Sequence, residues 1–351
     1  MATKFCVFCG NPPELKNKEH VIPEWLIELT GDPNRVARFG VNFQSNPPKW
    51  REFSFDSLAF PACTKCNEDF SVLEDCAKPV VEAMLDHQPL IESQISILLD
   101  WLDKVRVGLW LGYLYLDGNP QGIRPQYHIA MRIRQTDRTV AVFRTRGKPP
   151  GINFCGPESP CFQNSPTCFA LIINDICFYN VAGISVCSRR LGFPYVVPKH
   201  LQDNGKLEVT SSGGTGRVMR PVIKQLMIPH AVLLHQAILP GSFTSDHAHE
   251  LWNAEWVKSR SLKYGCGGVF VERNDTVHRY PSTPSLDWMP SKARDFGEVY
   301  PLMGSLVFTR LIDDLEEGAK LSGKQRRRRT MANSAKFRKI HDAILRVMRP
   351  R

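Results

Sequence analysis

The chain has 351 residues, of which 42% are hydrophobic and 23% charged, a composition typical of a globular protein with two or three domains. Its formal net charge of +10 comes from the C-terminal residues 320–351, which hold twelve Lys or Arg against one Asp. No segment has the length and apolar purity of a membrane span, and the first residues carry no apolar signal region. These features argue against a membrane partner and against secretion, so we expect a cytoplasmic protein.

Two Cys-x-x-Cys pairs are the most informative feature of the N-terminal part. Cys6-Val-Phe-Cys9 and Cys63-Thr-Lys-Cys66 have the spacing of a structural zinc site, in which four thiolates close a tetrahedral shell. The segment Glu19-His20-Val-Ile-Pro23 lies between the pairs, and Asn67 follows the second pair directly. Zinc would therefore hold an acid, a histidine and an amide close together, as a metal-assisted phosphodiesterase requires.

The elements around these motifs are short. A small amphipathic helix is predicted over residues 23–29, and the alternation Phe53-Ser-Phe55 indicates a strand. From Asn67 the apolar residues recur at a helical period, with a break expected at Pro79. Residues 1–88 hold nine Lys or Arg against thirteen Asp or Glu, so this module is acidic and phosphate attraction must come from elsewhere in the chain.

The middle of the chain, residues 89–319, predicts an α+β domain. A strongly apolar helical stretch covers 91–116, and two buried strands at 169–174 and 176–187 flank an Asn-Asp turn. Residues 127–146 predict a β-hairpin with its turn at 136–138. Seven Lys or Arg stand against one Asp in residues 120–150, and this basic surface, which includes Arg132 and Arg134, is either solvated or binds phosphates.

Seven cysteines lie outside the two pairs, and we expect reduced and mostly buried thiols there. The alternative is a second metal site built from Cys155, Cys161 and Cys168, whose spacing lacks any Cys-x-x-Cys. At the C-terminal end, a basic helix is predicted over 335–348. It is preceded by a run of arginines that would hold nucleic-acid phosphates: Arg326, Arg327, Arg328 and Arg329.

Taken together, the paired cysteines, Glu19-His20-Val-Ile-Pro23 and Cys66-Asn67 resemble the HNH endonuclease family in its zinc-containing form. The resemblance covers about residues 5–85, with a faint extension to Trp101-x-x-Lys104. It implies a zinc-stabilised ββα-metal module, treble-clef-like, over residues 1–88. An α+β domain for substrate recognition or sensing would follow over 89–319, and a basic tail and helix over 320–351.

The resemblance also implies roles for individual residues. His20 would be the general base that takes a proton from water. Glu19 and Asn67 would supply oxygen ligands to one catalytic Mg²⁺ or Mn²⁺, since hard cations prefer oxygen. Cys6, Cys9, Cys63 and Cys66 would hold the structural Zn²⁺. The predicted function is hydrolysis of phosphodiester bonds in nucleic acid, with DNA as the expected substrate, in a defence or mobile-element setting.

One position departs from the family. The amide usually found about nine residues before the third motif residue is missing, and Asp56 or Ser57 occupies that window. An inactive, zinc-stabilised nucleic-acid-binding or scaffold protein is therefore the alternative function. Two further possibilities stay open. One is a homodimer, which double-strand cleavage by a single-site enzyme would suggest. The other is an activating ligand or protein partner that binds residues 89–319.

Overall fold

The protein is described from a computed structural model as a mixed α+β fold. Among the residues it describes, no helix has the length and apolar character needed to cross a membrane. These residues are 5–13, 17–42, 45–47, 49–119, 137–147, 151–156, 162, 166–183, 186–193, 195–201, 207–212, 222–223, 228, 230–238, 266–274, 276–320 and 324–348.

Short strands and two helices form the N-terminal module. Its elements are, in chain order, β1 (Lys18–His20), α1 (Glu24–Leu29), β2 (Val36–Asn42), β3 (Lys49–Ser54), a 3₁₀ turn (Phe55–Ser57), β4 (Ala59–Pro61) and α2 (Thr64–Leu85). Strand β1 pairs antiparallel with β4, and β2 pairs antiparallel with β3. The short helix predicted after Pro23 is confirmed as α1. The two helices bury their apolar residues in one core with the strands.

The break expected at Pro79 is wrong, because α2 continues through this residue. A proline inside a helix removes one N–H and frees the carbonyl four residues earlier, here that of Asp75. Asp75 and Pro79 are both exposed, so water can hydrogen bond to that carbonyl. The helix therefore tolerates the proline on its solvent side.

A large, mainly antiparallel sheet forms the second part of the fold. Its strands are β5 (Asp137–Arg146), β6 (Ile152–Cys155), β7 (Cys168–Ile173), β8 (Ile176–Gly183), β11 (Val232–Ile238), β12 (Cys266–Arg273), β13 (Thr276–Arg279) and β14 (Ala293–Asp295). The order is β13-β12-β11-β5-β8-β7-β6, and β14 pairs in parallel with the end of β5. A separate hairpin joins β9 (Tyr195–Leu201) to β10 (Leu207–Ser212).

The two strands predicted around the Asn-Asp turn are confirmed as β7 and β8. Asn174 adopts a φ of 52°, which asparagine tolerates in a tight turn. Every residue of β7 is buried. The second strand ends at Gly183, four residues before the predicted end, and a short helix, α4 (Val186–Leu191), follows.

The second strand of the hairpin predicted over 127–146 is confirmed as β5, but the turn expected at 136–138 is wrong for Asp137 and Arg138. Strand β5 begins at Asp137, inside the expected turn, and has β8 on one edge and β11 on the other over Arg138–Val142. Both edges of β5 over this stretch are thus taken by strands from later in the chain. The first half of the predicted hairpin falls on residues 127–136. That part of the prediction, with Arg132 and Arg134, lies outside the described residues.

Helix α3 (Glu92–Leu116) lies at the centre of the molecule. Seventeen of its 25 residues are buried, including Asp103, Lys104 and Arg106. One side packs on the N-terminal module: a Cβ at Gly112 would come within 2.2 Å of the Phe60 ring. The other side packs on the sheet. A helix buried all round is expected to be apolar all round, as this one largely is.

One hydrophobic core therefore runs from the cysteine pairs through α3 to one face of the sheet. A second core lies on the opposite sheet face, under α4 and α5 (Phe296–Lys320). The alternation along β5 assigns its residues to these cores, since Val140 and Val142 belong to the first and Ala141 and Phe143 to the second. The boundary expected at 88/89 stays a prediction, and the core is continuous across it.

The last helix, α6 (Lys324–Met348), begins 11 residues before its predicted start at Ala335 and includes the arginine run. It packs against α5, where Arg338 pairs with Asp313 and Glu316. Helix α5 and strands β12 to β14 fall in a region that the sequence pattern left without elements.

Candidate metal centre and the Glu19–His20 strand

The four paired cysteines converge on one buried site. Their sulfur atoms lie within 4.8 Å of one another, and the Cys9 and Cys63 sulfurs are 3.6 Å apart. A tetrahedral zinc with Zn–S bonds of about 2.3 Å places its sulfurs about 3.8 Å apart. The donor set and the size of the site therefore fit Zn²⁺, and the predicted cysteine cluster is confirmed as a site able to hold such a metal.

Local backbone structure sets these cysteines in place. In the first pair, Gly10 at φ 80° closes a turn by donating its N–H to the Cys6 carbonyl at 2.9 Å. In the second pair, Cys63 is the N-cap of α2, and its sulfur accepts a hydrogen bond from the Cys66 N–H at 3.5 Å. A zinc here would tie the N-terminal turn to the start of α2.

The electrostatics of the thiols favour a cation. A hydrogen bond from Cys66 lowers the pKa of the Cys6 thiol to about 4, and the same bond raises the pKa of Cys66 well above its usual value. Burial raises the pKa of Cys9 to about 11. Four ionised thiols this close repel one another, so full deprotonation requires a positive charge at the centre. Zn²⁺ would supply it.

Glu19 and His20 lie on β1, paired with Phe60 and Ala59 of β4. Successive residues of a strand point to opposite faces, and accordingly Glu19 is buried whereas His20 is half-buried. Among the described residues the His20 Nδ1 atom is buried and has no hydrogen-bond partner. The imidazole thus reaches the surface of the module on one side and lacks an orienting contact on the other.

The buried ammonium of Lys104, from α3, lies directly behind this strand. Its Nζ is 2.7 Å from Glu19 Oε1 and donates to the carbonyl oxygens of His20 at 3.0 Å and Val21 at 3.2 Å. It also pairs with Glu74 Oε1 of α2. The Lys104 side chain is fully buried. One cation from the centre of the molecule therefore connects β1 to α2.

The ionised form of Glu74 is disfavoured in this cluster. Burial raises the pKa of Glu74 to about 7, and the nearby Glu19 carboxylate adds to the increase, although Lys104 opposes it. The cluster holds one ammonium and two carboxylates, and protonation of Glu74 would make it electrically neutral.

Asn67 is the fourth residue of α2, half-buried, and its N–H donates to the Cys63 carbonyl at 3.0 Å. Residues seven apart on an α-helix differ by only about 20° around its axis, so Asn67 and Glu74 share one face. That face carries Phe70, whose ring lies 5.7 Å from the Lys104 ammonium. The predicted oxygen ligand Asn67 is therefore on the side of α2 that faces β1.

Asp56 and Ser57 occupy the window of the missing family amide, and in the described part of the chain neither is hydrogen bonded to the His20 Nδ1 atom. Ser57 ends the 3₁₀ turn and hydrogen bonds back to Ser54, with 2.9 Å between its hydroxyl and the Ser54 carbonyl oxygen. Asp56 and Ser57 are both exposed. The residue opposite His20 across the strand pair is Ala59, which offers no side-chain hydrogen bond.

Sequence reasoning placed Lys104 only at the faint end of the resemblance and gave it no role. The available signal was the charge pattern of α3, in which Asp103, Lys104 and Arg106 interrupt an apolar helix. A charged side chain is almost never fully buried unless it is paired, so each of these residues required a partner. Arg106 has Asp103 and Asn180 as partners, on the sheet side.

The predicted phosphate-binding arginines fall into two groups. Arg327, Arg328 and Arg329 are exposed on α6. The side chain of Arg326 lies outside the described residues, as do Arg132 and Arg134. Two other arginines of the basic segment serve the fold instead, since Arg138 is buried against Asp100 and Arg144 pairs with Asp175.

Five further cysteines are described, and all are free thiols: Cys76 is exposed, and Cys155, Cys168, Cys177 and Cys187 are buried. The expectation of mostly buried, reduced thiols is confirmed for them. Cys161 and the side chain of Cys266 lie outside the described residues, so the alternative metal site that includes Cys161 is not tested.

A cavity of about 480 Å³ lies between the β2–β3 hairpin and the sheet, with Trp50, Phe55, Phe154, Asn153 and Tyr300 among its lining residues. None of the predicted catalytic or metal-binding residues lines it. Comparison of the chain with protein-family models, with curated proteins and with solved structures finds no match.

Proposed function

We propose that this protein is a metal-dependent endonuclease of the HNH type, in which Glu19, His20 and Asn67 act on a phosphodiester bond. The observation that carries the proposal is the arrangement of two strands and a helix around the cysteine cluster. Strand β1 bears Glu19-His20 and pairs with β4, and α2 begins three residues after β4 with Cys66-Asn67 in its first turn. This is the order of elements that the resemblance implies.

In this proposal the half-buried His20 imidazole takes a proton from the attacking water. A neutral imidazole serves as a base near physiological pH. Glu19 and Asn67 hold one Mg²⁺ or Mn²⁺, which supplies charge neutralisation to the phosphate when bound. An ionised carboxylate accepts at both of its oxygens, so the contact of Glu19 Oε1 with Lys104 leaves Oε2 for a cation.

The substrate class follows from charge. The N-terminal module is net acidic, whereas Arg327, Arg328 and Arg329 are exposed on a helix with few acidic residues. Cationic side chains on such a surface hold phosphates without reading sequence. Nucleic acid, with DNA as the first choice, is therefore the proposed substrate, held by α6 and cleaved at the Glu19–His20 strand.

The test is plasmid nicking by the full chain in Mg²⁺, in Mn²⁺ and in EDTA. We expect metal-dependent nicking that His20→Ala reduces at least about 100-fold, the usual range for loss of a general base. His278→Ala is the matched control, because His278 is an exposed histidine on the edge strand β13. Cleavage that persists in His20→Ala, or that is equally lost in His278→Ala, would contradict the assignment.

A second candidate function is binding of nucleic acid without cleavage, and two observations favour it. The carboxylate proposed as a metal ligand, Glu19, is already neutralised by a fully buried ammonium. The position opposite His20 also lacks a side chain that would orient the imidazole. This candidate predicts DNA binding at unchanged affinity in His20→Ala and no nicking in any metal.

A further inference from the structure

We infer that Lys104 is the positioning residue of the proposed active site: it fixes the backbone of the Glu19–His20 strand, and thereby the His20 imidazole, without touching substrate. The inference rests on the proposed nuclease function. It assigns part of the site to α3, which lies outside the module that carries the motifs.

The Lys104 ammonium contacts backbone carbonyls as well as carboxylates. An ammonium has three N–H donors. Four oxygens surround this one: the carbonyls of His20 and Val21 and one carboxylate oxygen each of Glu19 and Glu74. The two carbonyls belong to the two consecutive peptide bonds that follow His20, so the ammonium holds the backbone directly at the end of the strand that carries the catalytic residue.

Burial makes the contacts specific. The Lys104 side chain is fully buried, so no water competes for its donors, and the Glu19 side chain is 7% exposed. Removing one partner of a buried ion pair leaves an uncompensated charge, and the surrounding groups must rearrange to solvate it. Loss of the ammonium would leave two carbonyls and two carboxylates without this partner, among them the carbonyl of His20 and the carboxylate of the preceding Glu19.

Strand β1 is short: in the described part of the chain it has three residues, pairs with β4 and ends at His20. The next residue, Val21, is fully buried in the first core. Within the described residues the His20 Nδ1 atom has no hydrogen bond. The position of the imidazole therefore depends on the backbone, and Lys104 donates hydrogen bonds to two consecutive carbonyls of that backbone. A displacement of about 1 Å at a catalytic group lowers the rate about 100-fold.

Arg106 supplies a matched comparison. It is a cation of the same helix, two residues later, and its side chain is only 5% exposed. Its guanidinium donates to Asp103 of the same helix, to Asn180 of β8 and to the carbonyl of Pro166. A variant of Arg106 therefore removes an equally buried cation from α3 without changing a contact of β1.

The experiment compares full-length Lys104→Met and Arg106→Met with the wild type. For each, nicking kinetics are normalised to the folded, zinc-loaded fraction, and the DNA dissociation constant is measured in EDTA. We expect Lys104→Met to lower kcat at least about 100-fold with KM and DNA affinity within about twofold. Arg106→Met should keep kcat within about threefold. A kcat unchanged in Lys104→Met, or lost equally in both variants, would overturn the inference.

A spectroscopic readout separates this inference from the nuclease proposal. The His20 imidazole resonance, assigned by its disappearance in His20→Ala, is expected to shift in Lys104→Met and to stay in place in Arg106→Met. If the wild type does not nick, the nuclease proposal fails, and an unshifted His20 resonance would then reject the positioning role as well. Where Lys104→Met does not fold, Lys104→Arg keeps the charge but not the geometry and should show the same resonance shift and a smaller loss of kcat.

Discussion

Replacing Cys63 by serine is expected to release the metal and unfold the N-terminal module. Cys63 is 5% exposed and serves both as a thiol of the cluster and as the N-cap of α2. A structural zinc supplies about 10–16 kcal/mol of folding free energy in small zinc modules. A whole domain has a stability of about 5–15 kcal/mol. Loss of the metal therefore removes a free energy comparable to the whole stability of a domain, which is enough to unfold the module.

The two cores of the structure indicate which part of the protein unfolds when the metal is lost. The first core contains the cysteines and reaches one face of the sheet, whereas the second core, under α5, contains none of the four paired cysteines. We expect Cys63→Ser to bind less than about one tenth of a zinc ion per chain. Its urea unfolding should gain an early step, in which Trp25 and Trp101, whose rings are 6.2 Å apart in the first core, report by fluorescence.

Cys76→Ser is the control for this prediction, because Cys76 is an exposed cysteine of the same helix, ten residues after Cys66. It should keep one zinc per chain and an unchanged urea midpoint. Metal content would be measured by elemental analysis, and the coordination by the visible spectrum of the Co²⁺-substituted protein. A Cys63→Ser variant with full zinc content and a wild-type midpoint would refute the reasoning.

Three further perturbations follow from described contacts. Gly112→Ala puts a methyl group 2.2 Å from the Phe60 ring, so chemical denaturation should show about 1–3 kcal/mol of destabilisation. Glu74→Gln should flatten the pH dependence of stability. Because the pKa of Glu74 is raised to about 7 in the folded protein from a usual 4.5, the wild type loses about 3 kcal/mol of stability as pH rises from 4.5 through 7. The neutral amide of glutamine cannot show this loss. Replacing Arg327, Arg328 and Arg329 by Gln should reduce the salt slope of DNA binding by about 3, as 0.9 per phosphate contact implies.

Each of the three perturbations has a control variant or a contrary result that tests its proposed cause. Gly304→Ala lies in a helix with open space around the added Cβ, so it should stabilise the protein by about 1 kcal/mol. Arg338→Gln removes an arginine of α6 that pairs with Asp313 and Glu316, so stability should fall while the salt slope stays unchanged. Equal pH profiles for the wild type and Glu74→Gln would contradict a raised pKa.

Local sequence signals predicted the parts of the molecule that local chemistry determines. Cys-x-x-Cys spacing located the cysteine cluster that could hold a metal, and the Asn-Asp turn at Asn174 separated two strands correctly. The run of arginines before Ala335 was taken as a lead-in to a helix, yet Lys and Arg are good helix formers, and α6 includes them. The helix is further supported by Asp313 and Glu316 of α5, which a reading of residues 324–348 alone does not include.

The remaining features depend on contacts between distant parts of the chain. The neighbours of β5 are β8 and β11, the latter about 90 residues later in the chain. The local pattern therefore predicted the strand itself but placed a turn at 136–138, where the strand begins. The partners of Lys104 are 84 residues away at His20, the end of β1, 83 residues away at Val21, directly after that strand, and 30 residues away in α2. A buried charge in α3 signals that a partner exists, but the sequence does not say which one.

The position of α3 limits how this protein can be divided. The motif-bearing segment ends near residue 85, but its Phe60 ring packs against Gly112, and Lys104 holds its first strand from within the same helix. A fusion designer who transplanted residues 1–88 onto another protein would leave an apolar surface uncovered and a buried carboxylate without its cation. The smallest portable unit therefore includes α3, and α3 in turn brings buried charges such as Arg106 that need the sheet.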